Sequence, residues 1–281
     1  MALELNGKVI ATSSEEQMKL EVELVKQRLG FVPVLASIIV GDDMASVTYV
    51  NMKAKACERV GLRSLKVEMK EETTTEELLK VIETLNTDEN VDGILLQHPV
   101  PKQIDERVCF NAISPKKDVD GVTSAGFGAM TMGEESYVSA TPFGIIRILE
   151  YYGVKLEGKH AVVIGRSAIL GKPIAMMLLN KNATVTIAHS KTKNLEEIVK
   201  TADIVVACVG KPKFVKKEWL KPGVVVVDAG YNEGNVGDVD LENVIPIASA
   251  YTPVPGGVGP MTISMLITQT LESFRRKMEK K

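Results

Sequence analysis

The sequence predicts an α/β protein of two lobes, each built from parallel-rich βαβ units, around a cleft. Three observations carry that reading. Short β-branched apolar runs alternate with helical periods along most of the chain, the signature of a parallel sheet covered by helices. The alternation breaks once, in a loop-rich stretch from ISPKKDVDG to about Ser139, and then restarts. The 281 residues suffice for one large or two ordinary domains.

In chain order, PVLASIIVG (33–41) is a strand ending in Gly-Asp-Asp. SVTYVNMKAKACERVG (46–61) has helical spacing, with Val47, Val50, Ala54 and Cys57 as its apolar stripe and Gly61 as its stop. SLKVEMK (64–70) alternates as a strand does. TTTEELLKVIETLN (73–86) opens with hydroxyl caps and acids and continues as a helix. VDGILLQHPVP (91–101) is a buried strand running into a proline-punctuated loop. TPFGIIRILEYYG (141–153) is a helix with Pro in its first turn. KHAVVIG, a helix from Gly171, ATVTIAH (183–189), a helix near 194–201, DIVVACVG (203–210) and GVVVVDAGY (223–231) complete the alternation. These elements place a first domain at 1–139 and a second at 140–259. The segment 260–281, helical to about 277, is expected to pack back on the first domain.

Composition excludes several classes. With 45% hydrophobic and 25% charged residues the chain reads as an ordinary soluble globular protein. Thirty-four Lys+Arg against 36 Asp+Glu give a net charge of −2, without the basic excess of a nucleic-acid binder. The Lys-rich tail from Arg275 reads as a solvated helix end. No apolar run is long enough for a bilayer, and MALELNGKVI lacks the basic-then-apolar order of a signal peptide. Cys57, Cys109 and Cys208 are odd in number and far apart, hence buried free thiols and a reducing cytoplasm. His98, His160 and His189 are too scattered for a metal site.

VVIGRSAILGKP (162–173) carries the first chemistry. A glycine turn between a strand and a helix presents backbone N–H groups and a helix dipole to an anion, and Arg166 adds a cation. The stretch matches neither G-x-G-x-x-G nor a P-loop. Its context, with further strands behind it, is that of a Rossmann-type dinucleotide lobe. The next strand ends in His189-Ser190-Lys191-Thr192-Lys193, where an NAD site places an acid. Hydroxyls and cations suit a 2′-phosphate, so NADP is favoured. CVGKP (208–212) and DAGYN (228–232) fall on the same face, where glycine permits close approach of a cofactor; Tyr231 is a candidate for the nicotinamide half. TPVPGGVGPMT (252–262) has three prolines and three glycines in eleven residues, a stiff loop against which a flat ligand can press.

In the first domain, Tyr49 and Lys53 are four apart and share a helix face. A lysine acting as acid or base needs partial burial to bring its pKa toward neutrality. Most such pairs are plain helix surface. Gln97 ends a buried strand, where its amide needs a partner. Asp118 and Asp120 lie in KKDVDG, and spacing alone does not separate Asp120 from an ordinary Asp-Gly turn residue.

Together these stretches resemble the bifunctional methylenetetrahydrofolate dehydrogenase/methenyltetrahydrofolate cyclohydrolase family. The carriers are YVNMKAKACERVG, DGILLQHPVP, PKKDVDG, TPFG, VIGRSAILGKP, HSKTKNL, VGDVD and TPVPGGVGPMT, in this order over nearly the whole chain. The resemblance implies NADP-dependent oxidation of 5,10-methylenetetrahydrofolate to the methenyl cation, then hydrolysis to 10-formyltetrahydrofolate. It implies Lys53 as general acid/base, Tyr49 stacking on the folate, Gln97 tuning Lys53, and Asp120 gripping the pterin. It implies Gly259 and Pro260 on the folate side, and Gly165, Arg166, Ser167, Ser190, Tyr231, Thr141 and His189 as the NADP set. It further implies a homodimer and no metal, because the substrate iminium is already electrophilic. The sequence departs from the family pattern at His98 (usually Leu), Gly126 (Asn), Ser139-Ala140 (Pro-Cys) and Ala168-Ile169-Leu170 (Asn-Ile-Val). These departures keep open a member with one activity retained, or an NADP-binding regulator on the same fold. A two-lobed dehydrogenase of the shikimate type would lack TPVPGGVGPMT.

Overall fold

The computed structural model describes residues 2–279. Nine strands are defined: β1 (Leu3–Glu4), β2 (Val34–Val40), β3 (Arg63–Met69), β4 (Gly93–Leu96), β5 (His160–Ile164), β6 (Thr184–Ala188), β7 (Ile204–Ala207), β8 (Val225–Asp228) and β9 (Ala250–Tyr251). The helices are α1 (Gly7–Leu29), α2 (Met44–Val60), α3 (Thr75–Thr87), α4 (Glu106–Ala112), α5 (Ser124–Thr131), α6 (Ala140–Tyr151), α7 (Gly171–Asn180), α8 (Leu195–Lys200), α9 (Leu241–Val244) and α10 (Val258–Glu279). The chain forms two compact units. One, here the lysine unit, holds Ser13–Ala129, Glu134–Ala140 and the chain from Ile263 on. The other, the glycine-turn unit, holds the chain up to Thr12, Met130–Gly133 and Thr141–Thr262.

The lysine unit is built on a three-stranded parallel sheet, order β3-β2-β4. All seven residues of β2 and all four of β4 are buried, as a parallel strand covered on both faces requires. α2 starts at Asp43, whose carboxylate accepts from Ser46 N–H, and stops at Gly61 with φ +85°. α3 begins with a reciprocal capping box between Thr74 and Glu77. The expected strand at 91–101 is short, because His98, Pro99 and Pro101 leave the ladder after Leu96.

The glycine-turn unit has six parallel strands in the order β1-β9-β8-β7-β5-β6. Its core packs Val162, Ile164, Val205 and Val226 from the sheet against Val199, Val215 and Val244. Counting from β5, the order is second-first-third-fourth-fifth, a doubly wound arrangement with its switch point between β5 and β7. The first twelve residues, expected in the first domain, belong here. Leu3 N–H bonds Ser249 O at 2.8 Å and Leu5 N–H bonds Tyr251 O at 2.7 Å, so β1 extends the sheet edge.

Three helices depart from the expected elements. α1 carries exposed Leu20 and Leu24 and few buried positions, so its apolar period is weak. α4 is short. α5, SAGFGAMT, holds two glycines in a stretch read as loop. Cys57 and Cys109 are buried as expected, whereas Cys208 is only half-buried. Residues 280 and 281 of the expected C-terminal helix lie outside the described residues.

Within the lysine unit, α10 reaches the loop that carries Asp120. Gln269 Nε2 donates to Val119 O at 2.7 Å and to Val138 O at 2.9 Å, while its Oε1 accepts from Val138 N–H at 2.9 Å. Gln269→Leu fills the same space but strands three backbone groups. We expect a loss of about 2 kcal/mol or more in urea unfolding at unchanged m-value.

Candidate active site

Lys53 is only 9% exposed and lies on the buried side of its helix. The buried side of α2 runs through Ser46, Val50, Lys53, Ala56, Cys57 and Val60. The expected stripe is therefore rotated: Val47 and Ala54 sit at its margins, and Lys53 lies within it. Lys53 Nζ donates to Gln97 Oε1 at 2.9 Å. Gln97 Nε2 donates to His98 O at 2.7 Å, which fixes the amide with its oxygen toward the lysine. Gln97 N–H bonds Ile38 O at 2.8 Å, so the side chain projects from the carboxyl end of β4 beside β2. Tyr49, one turn before Lys53, is half-buried.

Asp120 is half-buried and interacts electrostatically with Lys53 and with His98. Burial lowers the lysine's pKa from 10.5, opposed by the Asp120 charge. Burial raises the aspartate's from 3.8, opposed by Lys53 and His98. The two shifts bring the pKa values of the pair toward each other. His98 Nδ1 lies 2.5 Å from Glu106 Oε1, which anchors the ring.

The segment bearing Asp120 is fixed from several sides. Ile94 N–H bonds Lys117 O at 2.8 Å, which lays residues 117–119 beside β4. That approach demands glycine at 93, where a Cβ would lie 2.6 Å from Val119 Cγ2. Asp118, buried, accepts from Val122 N–H at 3.0 Å and Thr123 N–H at 2.9 Å. Its carboxyl is pushed up to about 6 by burial, against those hydrogen bonds. Gly121 takes φ +66°, and a Cβ there would sit 2.2 Å from Val138 C. Lys53, Gln97, Asp120 and Tyr49 thus all belong to the lysine unit.

The remaining candidates belong to the glycine-turn unit. Gly165 follows β5 at the switch point with φ +137°, and a Cβ there would lie 2.4 Å from Cys208 O. Gly171 closes the turn, its Cβ position 2.5 Å from Gly165 O. Arg166 and Ser167 are exposed. Ser167 Oγ accepts from Leu170 N–H and Gly171 N–H, both at 3.2 Å. It therefore caps the turn and has only its proton left to offer a phosphate. Among the described residues no protein acceptor takes the N–H groups of Arg166, Ser167, Ala168 and Ile169. Free amides at the start of α7, with Arg166 beside them, fit an anionic phosphate.

Ser190 is exposed at the end of β6. His189 Nδ1 accepts from Lys191 N–H at 3.1 Å, and its own N–H bonds Thr192 Oγ1 at 2.8 Å, forming a tight turn. Tyr231 is exposed, and its hydroxyl donates to Asn235 Oδ1. Thr141, at the start of α6, accepts from Thr262 Oγ1 at 3.0 Å. Gly259 is exposed with open space where a Cβ would be, and Pro260 is half-buried beside it. Two glycines here are required by the protein's own packing. Gly230 makes room for Asp238, whose Cγ lies 2.2 Å from where a Cβ would stand, and Gly237 does the same for Asp228. Sequence reasoning gave neither aspartate a role, although Asp228 opens DAGYN and Asp238 lies in VGDVD.

Two family models match the chain: the tetrahydrofolate dehydrogenase/cyclohydrolase catalytic domain over residues 5–120, and the NAD(P)-binding domain of the same family over 139–278. The bifunctional protein FolD of Cellvibrio japonicus is 61% identical over 276 residues, 98% of this chain and 99% of the relative. FolD 1 of Colwellia psychrerythraea is 62% identical over 278 residues, 99% of each. The crystal structure of the FolD dehydrogenase/cyclohydrolase of Campylobacter jejuni superposes with a TM-score of 0.96 at 42% identity, covering 99% of this chain and 100% of that one. The Trypanosoma brucei enzyme, complexed with NADP and inhibitor, gives 0.95 at 35% identity, covering 99% and 98%. Shikimate dehydrogenase of Aquifex aeolicus, at 17% identity and a TM-score of 0.54 over 87% of this chain and 92% of that one, shares the fold alone.

The lowered pKa of Lys53 sets a testable sign. A lysine that titrates lower when folded destabilises the fold increasingly as pH drops from 10.5 toward its folded value. Lys53→Met should therefore raise the thermal midpoint at pH 7, and the gain should shrink as pH approaches 10.5. An unchanged midpoint across that range would refute the burial account.

Proposed function

The chain belongs to the tetrahydrofolate dehydrogenase/cyclohydrolase family, and from that premise we propose how its side chains share the work. It is a bifunctional enzyme: it oxidises 5,10-methylenetetrahydrofolate with NADP, then hydrolyses 5,10-methenyltetrahydrofolate to 10-formyltetrahydrofolate. When bound, NADP supplies the hydride acceptor.

The assignment of the hydrolytic step rests on one observation, the buried Lys53 amine held by Gln97 beside Asp120. Neutral Lys53 takes a proton from the water whose oxygen bonds the methenyl carbon. The lysine then returns that proton to N5 as the carbon–N5 bond breaks, and the remaining hydroxyl proton passes to solvent as the carbonyl forms, leaving the formyl group on N10. Gln97 orients Nζ and stabilises its protonated form. Asp120 accepts hydrogen bonds from the pterin, and Tyr49 stacks on the folate.

In the glycine-turn unit, the free amides of the 166–169 turn, Arg166 and the Ser167 hydroxyl hold phosphate. Ser190, with the HSKTK turn, receives the 2′-phosphate. Gly165 allows the turn its tight path. Thr141, His189 and Tyr231 complete the cofactor set. Gly259 and Pro260 offer a side-chain-poor surface to the folate.

We also propose a cytoplasmic homodimer. Three free thiols support the reducing compartment. Among the described residues no helix is long and apolar enough to cross a membrane. Sedimentation giving the monomer mass would overturn the dimer.

Purified protein should reduce NADP only when methylenetetrahydrofolate is supplied. Lys53→Met should lower methenyl hydrolysis by roughly 100-fold or more, the weight of a general base. Wild-type hydrolysis in that variant would sink the assignment. The wild-type rate of hydrolysis should rise with pH along a limb below 10.5, as Lys53 loses its proton.

A further inference from the structure

Two buried carboxylates in the glycine-turn unit have no part in the reactions above. Asp228 is 1% exposed and Asp238 fully buried. Neither forms an ion pair among the described residues. Burial and the charge of Asp238 push Asp228 up to about 6, against three backbone hydrogen bonds. Buried like charges without a cation destabilise a fold.

Their partners show what they hold. Asp238 Oδ2 accepts from Val209 N–H at 2.6 Å and Gly210 N–H at 2.9 Å. Its Oδ1 accepts from Lys211 N–H at 2.9 Å and Asn232 Nδ2 at 3.1 Å. One carboxylate therefore gathers three consecutive amides of the loop after β7 and a side chain from the turn after β8. Asp228 Oδ1 accepts from Gly230 N–H and Asp238 N–H, both at 2.9 Å, and its Oδ2 accepts from Val239 N–H at 2.9 Å. Asp228 N–H in turn donates to Thr252 Oγ1 at 2.8 Å, at the head of the loop after β9. The two carboxylates thus tie together the loops after β7 and β8, and the backbone of Asp228 joins the loop after β9 to them. In an open α/β sheet these ends are where a dinucleotide lies.

We propose that Asp238, oriented by Asp228, is a positioning residue for NADP: it sets the 208–212 loop and the 228–232 turn at the spacing the cofactor needs. The inference rests on the assignment of NADP to this edge of the sheet. It gives the DAGYN glycine a role distinct from cofactor contact, since Gly230 is where the carboxylate passes. Asp238 acts through the backbone, without touching the ligand.

The test is Asp238→Asn in the full-length enzyme, read in two assays. Asparagine keeps the shape but supplies one acceptor oxygen where two serve. We expect the KM for NADP to rise on the order of tenfold, the scale of a small misplacement of a binding group. Methenyl hydrolysis, measured without NADP, should keep its wild-type kcat. An unchanged KM overturns the proposal, as does a fall of both activities in proportion to the folded fraction by circular dichroism. Should Asp238→Asn not fold, Asn232→Ala removes one partner of the carboxylate and should raise the same KM to a smaller extent; no rise overturns the proposal. Arg166→Ala separates the two readings. If it weakens NADP binding while Asp238→Asn does not, only the positioning role fails. If neither does, the cofactor assignment itself fails.

Discussion

The 2.9 Å hydrogen bond from Lys53 to Gln97 is the point on which the lysine unit turns. It places an ionisable amine on the buried side of a helix, where apolar residues surround it. Such burial is unfavourable for the charged form, and that cost is what gives the amine a usable basicity. The surrounding devices keep the lysine from escaping to water. α2 is capped at both ends by Asp43 and Gly61. Gln97 has its amide fixed by the neighbouring carbonyl, and Asp120 sits on a segment pinned by Asp118, Gly121 and Gln269.

The glycine-turn unit meets a different constraint. A parallel sheet ends in a row of loops whose amides need partners, yet a nucleotide site needs some amides left free. The chain divides them. The loops after β7 and β8 have their amides satisfied by Asp238 and Asp228. The loop after β5 leaves four consecutive N–H groups without a protein acceptor among the described residues. Rigid neighbours and one open anion cradle follow from the same accounting.

Much of this was legible in the sequence, for physical reasons that differ by element. β7, β2 and β5 after His160 are buried on both faces, so they appear as nearly continuous apolar runs. α3 announces itself through its Thr74 and Glu77 cap. α5 was hidden because its glycines argue for loop, and α1 because its apolar period is weak. The Tyr49 and Lys53 spacing showed a shared helix face but not which face. Burial of Lys53 depends on packing of α2 against β2, which is tertiary. Asp228 and Asp238 were invisible for a related reason. Acidic residues near a glycine read as turn chemistry, and only the fold shows that the Asp238 carboxylate is met by loop amides more than twenty residues away in the chain.

The lysine unit is discontinuous, and this has a consequence for its biosynthesis. Lys53, Gln97 and Asp120 are all made in the first half of the chain, but Gln269, which pins the residue before Asp120, is made near its end. The whole glycine-turn sheet from β5 to β9 is translated in between. The support that Gln269 gives the Asp120 segment is therefore among the last contacts the growing chain can make. A chain truncated before Gln269 leaves Val119 O and both backbone groups of Val138 without that partner.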